Sequence, residues 1–165
     1  MPLQRLILLR HAQAEHRAPS GEDIDRELTE RGRADARAVG ERLFREELIP
    51  DIVLVSTAAR AEQTWDEAGP AFPPGVKVEP MRHLYNASAD VLLEAARDAG
   101  AVSVAVVAHN PGMQTLVIEL MALADGDDGM ARAARAGFSP ASAAVFRIEG
   151  PVVACEAYFT PEDDP

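Results

Sequence analysis

The 165-residue sequence lacks several features that define whole classes of protein. Its one cysteine, Cys155, cannot form a disulfide within the chain, which argues against a disulfide-stapled extracellular scaffold. The longest apolar runs, such as residues 102–108, are far shorter than the ~20 residues of a membrane-spanning helix. The N-terminus runs straight into an aliphatic stretch without the cleavage site of a signal peptide. We therefore expect a cytoplasmic protein that does not bind membranes.

Positive charge is also scarce. Sixteen Lys and Arg residues face 27 Asp and Glu residues, which leaves a net charge of −11. Such a charge argues against binding to nucleic acid or to anionic lipid surfaces. Fifteen of the 16 basic residues are arginines, whose planar guanidinium suits phosphate and carboxylate groups. An acidic protein with a few arginines in one pocket would bind a small anion there while repelling polyanions.

Length and composition predict one compact domain. Hydrophobic residues make up 47% of the chain and aromatic residues only 5%, which is typical of a globular protein with an aliphatic core. No internal repeat or linker divides the sequence. We expect a single domain over residues 1–160 and a frayed tail at residues 161–165.

Aliphatic runs alternate with helical patterns along the chain, and residues 124–139 are ambiguous between weak helix and loop. Thr29 is the expected N-cap of the first helix. The order of elements predicts a three-layer α/β/α sandwich with a mostly parallel sheet and an antiparallel edge hairpin near the C-terminus. The predicted strands are residues 6–9, 51–56, 76–80, 102–108, 143–148 and 152–159, and the predicted helices are residues 28–48, 58–68, 89–99 and 113–123.

Cationic and imidazole side chains stand where predicted strands end. Arg10 and His11 follow the first strand, Arg60 follows the second after a short turn, and His109 follows the fourth. Because the carboxyl ends of parallel strands meet at one edge of a sheet, we expect these side chains to share a pocket. Two guanidiniums repel a metal ion but suit a dianionic phosphoryl group, and either imidazole could attack the phosphorus. The helix after His109 is expected to offer its N-terminal amides to the same anion.

Four short motifs in sequence order carry a resemblance to a known family. They are Leu-Arg-His-Ala at residues 9–12, Leu-Thr-Glu-Arg-Gly at 28–32, Ser-Thr-Ala-Ala-Arg-Ala-Glu-Gln-Thr at 56–64 and His-Asn-Pro-Gly at 109–112. The set resembles the histidine phosphatase superfamily, which includes the cofactor-dependent phosphoglycerate mutases. The short length and the opening motif resemble its SixA-type branch, the phosphohistidine phosphatases.

This resemblance implies a role for each pocket residue. His11 would be the nucleophile that is transiently phosphorylated, Arg10 and Arg60 would bind the phosphoryl oxygens, and His109 would hydrogen-bond the phosphoryl group and stabilise the transition state. It also implies a phosphatase that needs no metal or cofactor. The expected substrate is phosphohistidine on a signalling protein, such as a histidine-containing phosphotransfer domain. The alternatives are a small-molecule phosphomonoesterase of the same superfamily and a non-catalytic module that binds phosphate or phosphoproteins.

The general acid is not apparent from the sequence. Acid phosphatase relatives place an Asp directly after the second His, and this chain has Asn110 there, which cannot donate a proton in that role. Residues 64–102 leave no room for the lid that supplies a Glu in larger mutase-like members. A labile phosphoramidate has less need of a dedicated acid, which favours phosphohistidine as substrate. The candidate acids are Glu15, Glu62, Glu79 and Glu119.

Two loop segments hold further candidate substrate contacts. His16 and Arg17 follow the first motif, in a stretch that we expect to be solvated. His83, Tyr85 and Asn86 lie where a lid would begin, and substrate contact and plain loop packing account for them equally well.

Overall fold

Strands and helices alternate along the chain as predicted. The computed structural model describes residues 2–161, so the expected frayed tail lies, apart from Pro161, outside the described residues. The strands are β1 (Arg5–Arg10), β2 (Ile52–Ser56), β3 (Lys77–Met81), β4 (Ser103–Ala108), β5 (Ala143–Glu149) and β6 (Val152–Phe159). The helices are α1 (Glu30–Arg45), α2 (Ala59–Ala68), α3 (Ala89–Asp98) and α4 (Gly112–Ala136).

All six strands form one mixed sheet in the order β3-β2-β4-β1-β5-β6. The four strands β3, β2, β4 and β1 are parallel, while β5 runs antiparallel to β1 and pairs with β6 in a hairpin. Val106 of the central strand β4 lies opposite Leu8 on one side and Leu54 on the other. The predicted fold class, including the antiparallel edge hairpin, is confirmed. The carboxyl ends of β1, β2 and β4 are adjacent at one edge of the sheet.

The central strands are buried on both faces, which explains why they read as unbroken aliphatic runs. Leu6 and Leu8 of β1 face the core formed with α3 and α4, whereas Ile7 and Leu9 face the core formed with α1 and α2. Successive side chains along β1 therefore point to opposite packed layers, and a slip of one residue would move every side chain into the wrong layer. This packing fixes the position of the end of β1 and therefore of Arg10 and His11.

Helix α1 begins where the sequence predicts. The Thr29 hydroxyl oxygen accepts a hydrogen bond from the Gly32 amide at 2.9 Å, which confirms Thr29 as the N-cap. A Cβ atom at Gly32 would lie 2.1 Å from the carbonyl oxygen of Gln13. The glycine of the second motif therefore allows the start of α1 to contact the loop that follows β1.

Helix α4 is longer than predicted, because the ambiguous segment 124–139 is helical as far as Ala136. The helix breaks at Asp125 and Gly126, where Gly126 has a φ of 65°. Its second half buries Gly129 and Ala133 and otherwise exposes most of its side chains, which explains the weak sequence pattern. Within residues 2–161, none of the helices combines the length and apolar character needed to cross a bilayer.

Candidate active site

The four predicted site residues, Arg10, His11, Arg60 and His109, lie together at the carboxyl edge of the sheet. They line one open cleft of about 270 Å³. The ring centroids of His11 and His109 are 5.2 Å apart although the two residues are far apart in sequence. The convergence that the strand order predicts is therefore present in the fold.

The His11 ring is held with one nitrogen occupied and the other available. His11 follows β1 directly, and its amide donates to the Ala108 carbonyl oxygen of β4 at 3.1 Å. Its Nδ1 lies 2.8 Å from the Ala12 carbonyl oxygen, which can only accept, so Nδ1 carries the hydrogen. Burial lowers the pKa of His11 to about 3, with a contribution from the charges of Arg10 and Arg60. At neutral pH the ring is therefore uncharged, with the Nε2 lone pair exposed for attack.

Thr64 connects the loop of His11 to the helix of Arg60. Its hydroxyl oxygen accepts a hydrogen bond from the Ala12 amide at 2.9 Å, and its hydroxyl donates to the Arg60 carbonyl oxygen at 2.7 Å. Thr64 is fully buried, so water does not compete for these bonds. The last residue of the third motif thus fixes the loop of His11 relative to α2, a role that the sequence alone did not reveal.

Two guanidiniums frame the cleft. Arg10 donates from Nη1 to the Phe138 carbonyl oxygen at 2.9 Å. Arg60 is 4% exposed and donates from Nη1 to the Asp23 carbonyl oxygen at 2.8 Å and from Nη2 to the Asp23 carboxylate at 3.0 Å. The Nε atoms of both arginines are buried and have no hydrogen-bond partner. Both side chains are therefore oriented by contacts outside the cleft.

Asp23 is a site residue that sequence reasoning missed. It lies in a 3-10 turn, Asp23–Asp25, and its carboxylate accepts hydrogen bonds from the Tyr85 hydroxyl, from Arg60 and from Arg26. The Tyr85 hydroxyl and the Arg60 guanidinium lower the pKa of Asp23 to about 2. Asp23 is therefore ionised at neutral pH and holds no proton to donate. Asp23 lies in a polar loop whose sequence has no helical or strand periodicity, so nothing in the sequence indicates that its carboxylate contacts Arg60.

His109 is buried against the end of β2. Its Nε2 lies 2.7 Å from the Ser56 hydroxyl, and its Nδ1 is buried and has no hydrogen-bond partner within residues 2–161. The edge of its ring meets the Tyr85 ring at a centroid distance of 5.6 Å. Burial, together with the charge of Arg60, lowers the pKa of His109 to about 4. The ring is therefore uncharged at neutral pH.

Unpartnered buried nitrogens concentrate in this cleft. Among residues 2–161, five buried side-chain polar atoms have no hydrogen-bond partner, and three of them are Arg10 Nε, Arg60 Nε and His109 Nδ1. Buried polar groups are nearly always paired, so each such atom requires an explanation. All three belong to residues that line the cleft, where a bound oxyanion would bring hydrogen-bond acceptors next to both arginines and His109. The arrangement thus suits a phosphoryl group placed before the Nε2 lone pair of His11.

The candidate general acids do not reach this cleft. Within residues 2–161, no Asp or Glu side chain lines it, so Glu15, Glu62, Glu79 and Glu119 all lie outside its wall. Asn110 has a structural role: its Oδ1 accepts from the Gln114 amide at 3.2 Å, and its Nδ2 donates to the Phe138 carbonyl oxygen at 2.9 Å.

Two of the first amides of α4 are bonded within the chain. The Met113 amide donates to the His109 carbonyl oxygen at 2.9 Å, and the Gln114 amide donates to the Asn110 side chain. Asn110 thus caps α4 from the position before Pro111. These two amides are consequently not free to bind an anion in the cleft, whereas an anion there would meet the side chains of Arg10, Arg60 and His109.

The two loop segments contribute unequally to the cleft. His16 and Asn86 line it, whereas Arg17 lines an adjoining hollow of about 390 Å³. Tyr85 packs against His109 behind the wall of the cleft. His83 is exposed and does not line the cleft.

Within residues 2–161, no three His, Cys, Asp or Glu side chains lie close enough to hold a metal ion.

Fold and cleft together define an α/β protein with two arginines and two histidines in a cleft at the carboxyl edge of its sheet. Residues 6–80 match the profile of the histidine phosphatase superfamily (branch 1). An uncharacterized protein of Mycobacterium tuberculosis, Rv1276c, is 31% identical over 145 residues, which cover 86% of this chain and 88% of that protein.

Solved structures agree with this match. A crystal structure from Agrobacterium tumefaciens, whose protein carries the provisional name phosphohistidine phosphatase SixA, is 31% identical with a TM-score of 0.85. The alignment covers 96% of this chain and 99% of that one. The protein histidine phosphatase SixA complexed with tungstate shares the fold at 24% identity and a TM-score of 0.77, over 96% of this chain and 98% of that one. The chain belongs to the histidine phosphatase superfamily and is of the SixA type within it.

Proposed function

We propose that this chain is a metal-independent phosphatase that removes phosphate from phosphohistidine on a signalling or phosphotransfer protein. The reaction passes through a covalent phosphohistidine on His11. One observation carries the proposal: His11, whose Nδ1 is held by the Ala12 carbonyl oxygen, shares a cleft with Arg10, Arg60 and His109, each of which has a buried nitrogen without a partner among residues 2–161. The names of the SixA-type relatives support the same substrate class.

In the first step, the Nε2 lone pair of His11 attacks the phosphorus. The bond from phosphorus to the substrate nitrogen breaks, and that nitrogen keeps the electron pair and takes a proton from water. Arg10, Arg60 and His109 bind the phosphoryl oxygens and stabilise the negative charge that they carry in the transition state. The phosphorylated His11 ring is cationic, and the Ala12 carbonyl oxygen, 2.8 Å from Nδ1, stabilises that charge.

In the second step, water attacks the phosphorus of the intermediate. The bond from phosphorus to Nε2 breaks, its electron pair returns to the ring, and the water proton leaves to solvent. Inorganic phosphate and neutral His11 result. Because no Asp or Glu of residues 2–161 lines the cleft, solvent supplies and removes the protons. A phosphoramidate tolerates this arrangement better than an alkyl phosphate ester, because its leaving nitrogen is readily protonated.

The experiment compares substrates directly. The protein is incubated with a phosphotransfer domain phosphorylated on histidine and, separately, with sugar phosphates, phosphoserine and nucleoside monophosphates. We expect phosphate release from the phosphoprotein at a higher kcat/KM, unchanged after exhaustive chelation. Faster turnover of a small phosphate ester would favour the small-molecule phosphomonoesterase and overturn the substrate assignment.

Two variants control this comparison. His11→Ala is expected to abolish turnover, whereas His83→Ala, the same change outside the cleft, is expected to retain it. Tungstate binding without turnover of any substrate would instead indicate a non-catalytic module. The cytoplasmic location and the identity of the phosphorylated partner stay predictions.

A further inference from the structure

A buried pair of side chains joins the ends of two neighbouring strands. Ser56 is the last residue of β2 and is fully buried, and His109 follows β4 and is 4% exposed. The Ser56 hydroxyl oxygen lies 2.7 Å from His109 Nε2. Ser56 does not line the cleft, so it reaches the reaction only through His109. At this depth bulk water does not replace a missing hydrogen bond.

The hydrogen in this bond can be placed by counting donors and acceptors. The Ser56 oxygen already accepts a hydrogen bond from the Ala58 amide at 3.3 Å. Its own single hydrogen then needs an acceptor, and among residues 2–161 His109 Nε2 is the one in hydrogen-bond contact with it. If Ser56 donates to Nε2, the hydroxyl hydrogen and the Nε2 lone pair are both used.

The opposite arrangement leaves two buried groups unpaired. If Nε2 carried the hydrogen and donated to Ser56, the hydroxyl hydrogen would have no acceptor. His109 Nδ1, which has no partner among the described residues 2–161, would then be a bare lone pair near the charge of Arg60. A bare lone pair cannot bind a phosphoryl oxygen, because both groups are acceptors. The hydrogen-bond count therefore favours one tautomer.

We infer that the Ser56 hydroxyl fixes His109 in the tautomer that carries its hydrogen on Nδ1. Ser56 is thus a positioning residue, and His109 acts as a neutral hydrogen-bond donor to the phosphoryl group. The second half of this statement rests on the proposed function, whereas the tautomer itself does not. The neutral ring agrees with the burial of His109 and with the charge of the adjacent Arg60, which Asp23 balances.

The tautomer can be measured without any activity assay. Long-range ¹H–¹⁵N correlation spectra of the full-length protein at neutral pH report which imidazole nitrogen carries the hydrogen. We expect His109 in the Nδ1–H form in the wild type and in Ser56→Thr, which keeps the hydroxyl. In Ser56→Ala we expect the Nε2–H form to become populated. A wild-type His109 in the Nε2–H form would overturn the inference whatever the activity.

Kinetics test the consequence for the reaction. Loss of one well-oriented donor typically costs catalysis 10²–10³-fold, and partial loss of a tautomer costs less, so we expect kcat of Ser56→Ala to fall ~10–100-fold. KM is expected to change little, with recovery in Ser56→Thr. Unchanged kcat in a folded Ser56→Ala would overturn the positioning role. A wild type in the Nδ1–H form that hydrolyses no phosphorylated substrate would uphold the tautomer and overturn the proposed function instead.

Discussion

Asp23 occupies both terminal nitrogens of Arg60. Nη1 donates to its carbonyl oxygen at 2.8 Å and Nη2 to its carboxylate at 3.0 Å. The Asp23 side chain is 52% exposed, whereas that of Arg60 is 5% exposed. The ion pair therefore joins a solvent-exposed carboxylate to a buried guanidinium. Exposed ion pairs add little stability, and the main effect of the two bonds is to fix the orientation of the Arg60 guanidinium. Asp23 is consequently a positioning residue for the cleft.

Replacing Asp23 tests this relationship. We expect Asp23→Ala to lower kcat/KM roughly 10–100-fold, because small displacements of a binding group are costly. Asp23→Asn keeps a side-chain acceptor and is expected to lose less. Asp25, in the same turn, bonds Ser20 rather than Arg60, so Asp25→Ala is the matched control. Steady-state kinetics of the three variants measure these changes in kcat/KM. An equal fall in kcat/KM in Asp23→Ala and Asp25→Ala would contradict the positioning role of Asp23.

Thr64 is expected to contribute to stability as well as to geometry. In Thr64→Val the methyl group replaces the hydroxyl, and the Ala12 amide loses its partner in a buried position. An unsatisfied buried donor costs about 1–3 kcal/mol of unfolding free energy. Urea unfolding measures this loss, and Thr64→Ser, which keeps the hydroxyl, is expected to lose less. Identical unfolding midpoints for the wild type and Thr64→Val would show that the bridge is not formed.

The buried histidines predict a stability that falls in acid. The pKa values of His11 and His109 are about 3 and about 4 in the fold, against an ordinary value of 6.5. Below pH 6.5 the unfolded chain therefore binds protons that the folded protein does not, and unfolding free energy is lost as pH falls towards 4. Each buried histidine contributes about 1.4 kcal/mol per pH unit within that window.

Urea unfolding at pH 7 and pH 5 measures this dependence. His11→Gln and His109→Gln are each expected to weaken it, because each removes one buried group that resists protonation. The exposed His83 provides the control, and His83→Gln is expected to match the wild type. A wild-type pH dependence that survives in both buried-site variants would assign it to other groups.

Gly32 is expected to tolerate no side chain. A Cβ atom there would lie 2.1 Å from the Gln13 carbonyl oxygen, so Gly32→Ala must displace the nucleophile loop or the start of α1. Overpacking of this kind costs about 1–3 kcal/mol. Thermal or urea unfolding checks the loss, and Arg31→Ala at the exposed neighbouring position is expected to be nearly neutral. If Gly32→Ala were as stable as Arg31→Ala, the close contact would be absent.

The hydrophobic periodicity of the sequence was sufficient to predict the six strands and most of the helical residues. β1, β2 and β4 are unbroken aliphatic runs because both of their faces are buried, and that signal is local. The second half of α4 was ambiguous because it buries few apolar side chains, such as Ala133. Propensity and pattern cannot identify a helix that docks through small residues.

Individual contacts of the site were harder to predict than its location. The strand order alone brings Arg10 and His109 to one edge. The partners of these groups depend on loops that meet only after folding: Asp23 reaches Tyr85 and Arg60, which lie far away in sequence. The bond from the Gln114 amide to the Asn110 side chain has the same origin, because nothing in the sequence pattern shows that Asn110 caps α4.

The nitrogen of the covalent intermediate tests the account most directly. The protein is mixed with a phosphorylated phosphotransfer domain, quenched rapidly in base, digested, and the phosphorylated position mapped by mass spectrometry and by NMR of the labelled ring. Because the His11 Nδ1 hydrogen is bound by the Ala12 carbonyl oxygen, the account predicts phosphate on Nε2 of His11. Phosphate on Nδ1, phosphate on His109, or turnover without a phosphorylated enzyme would contradict it.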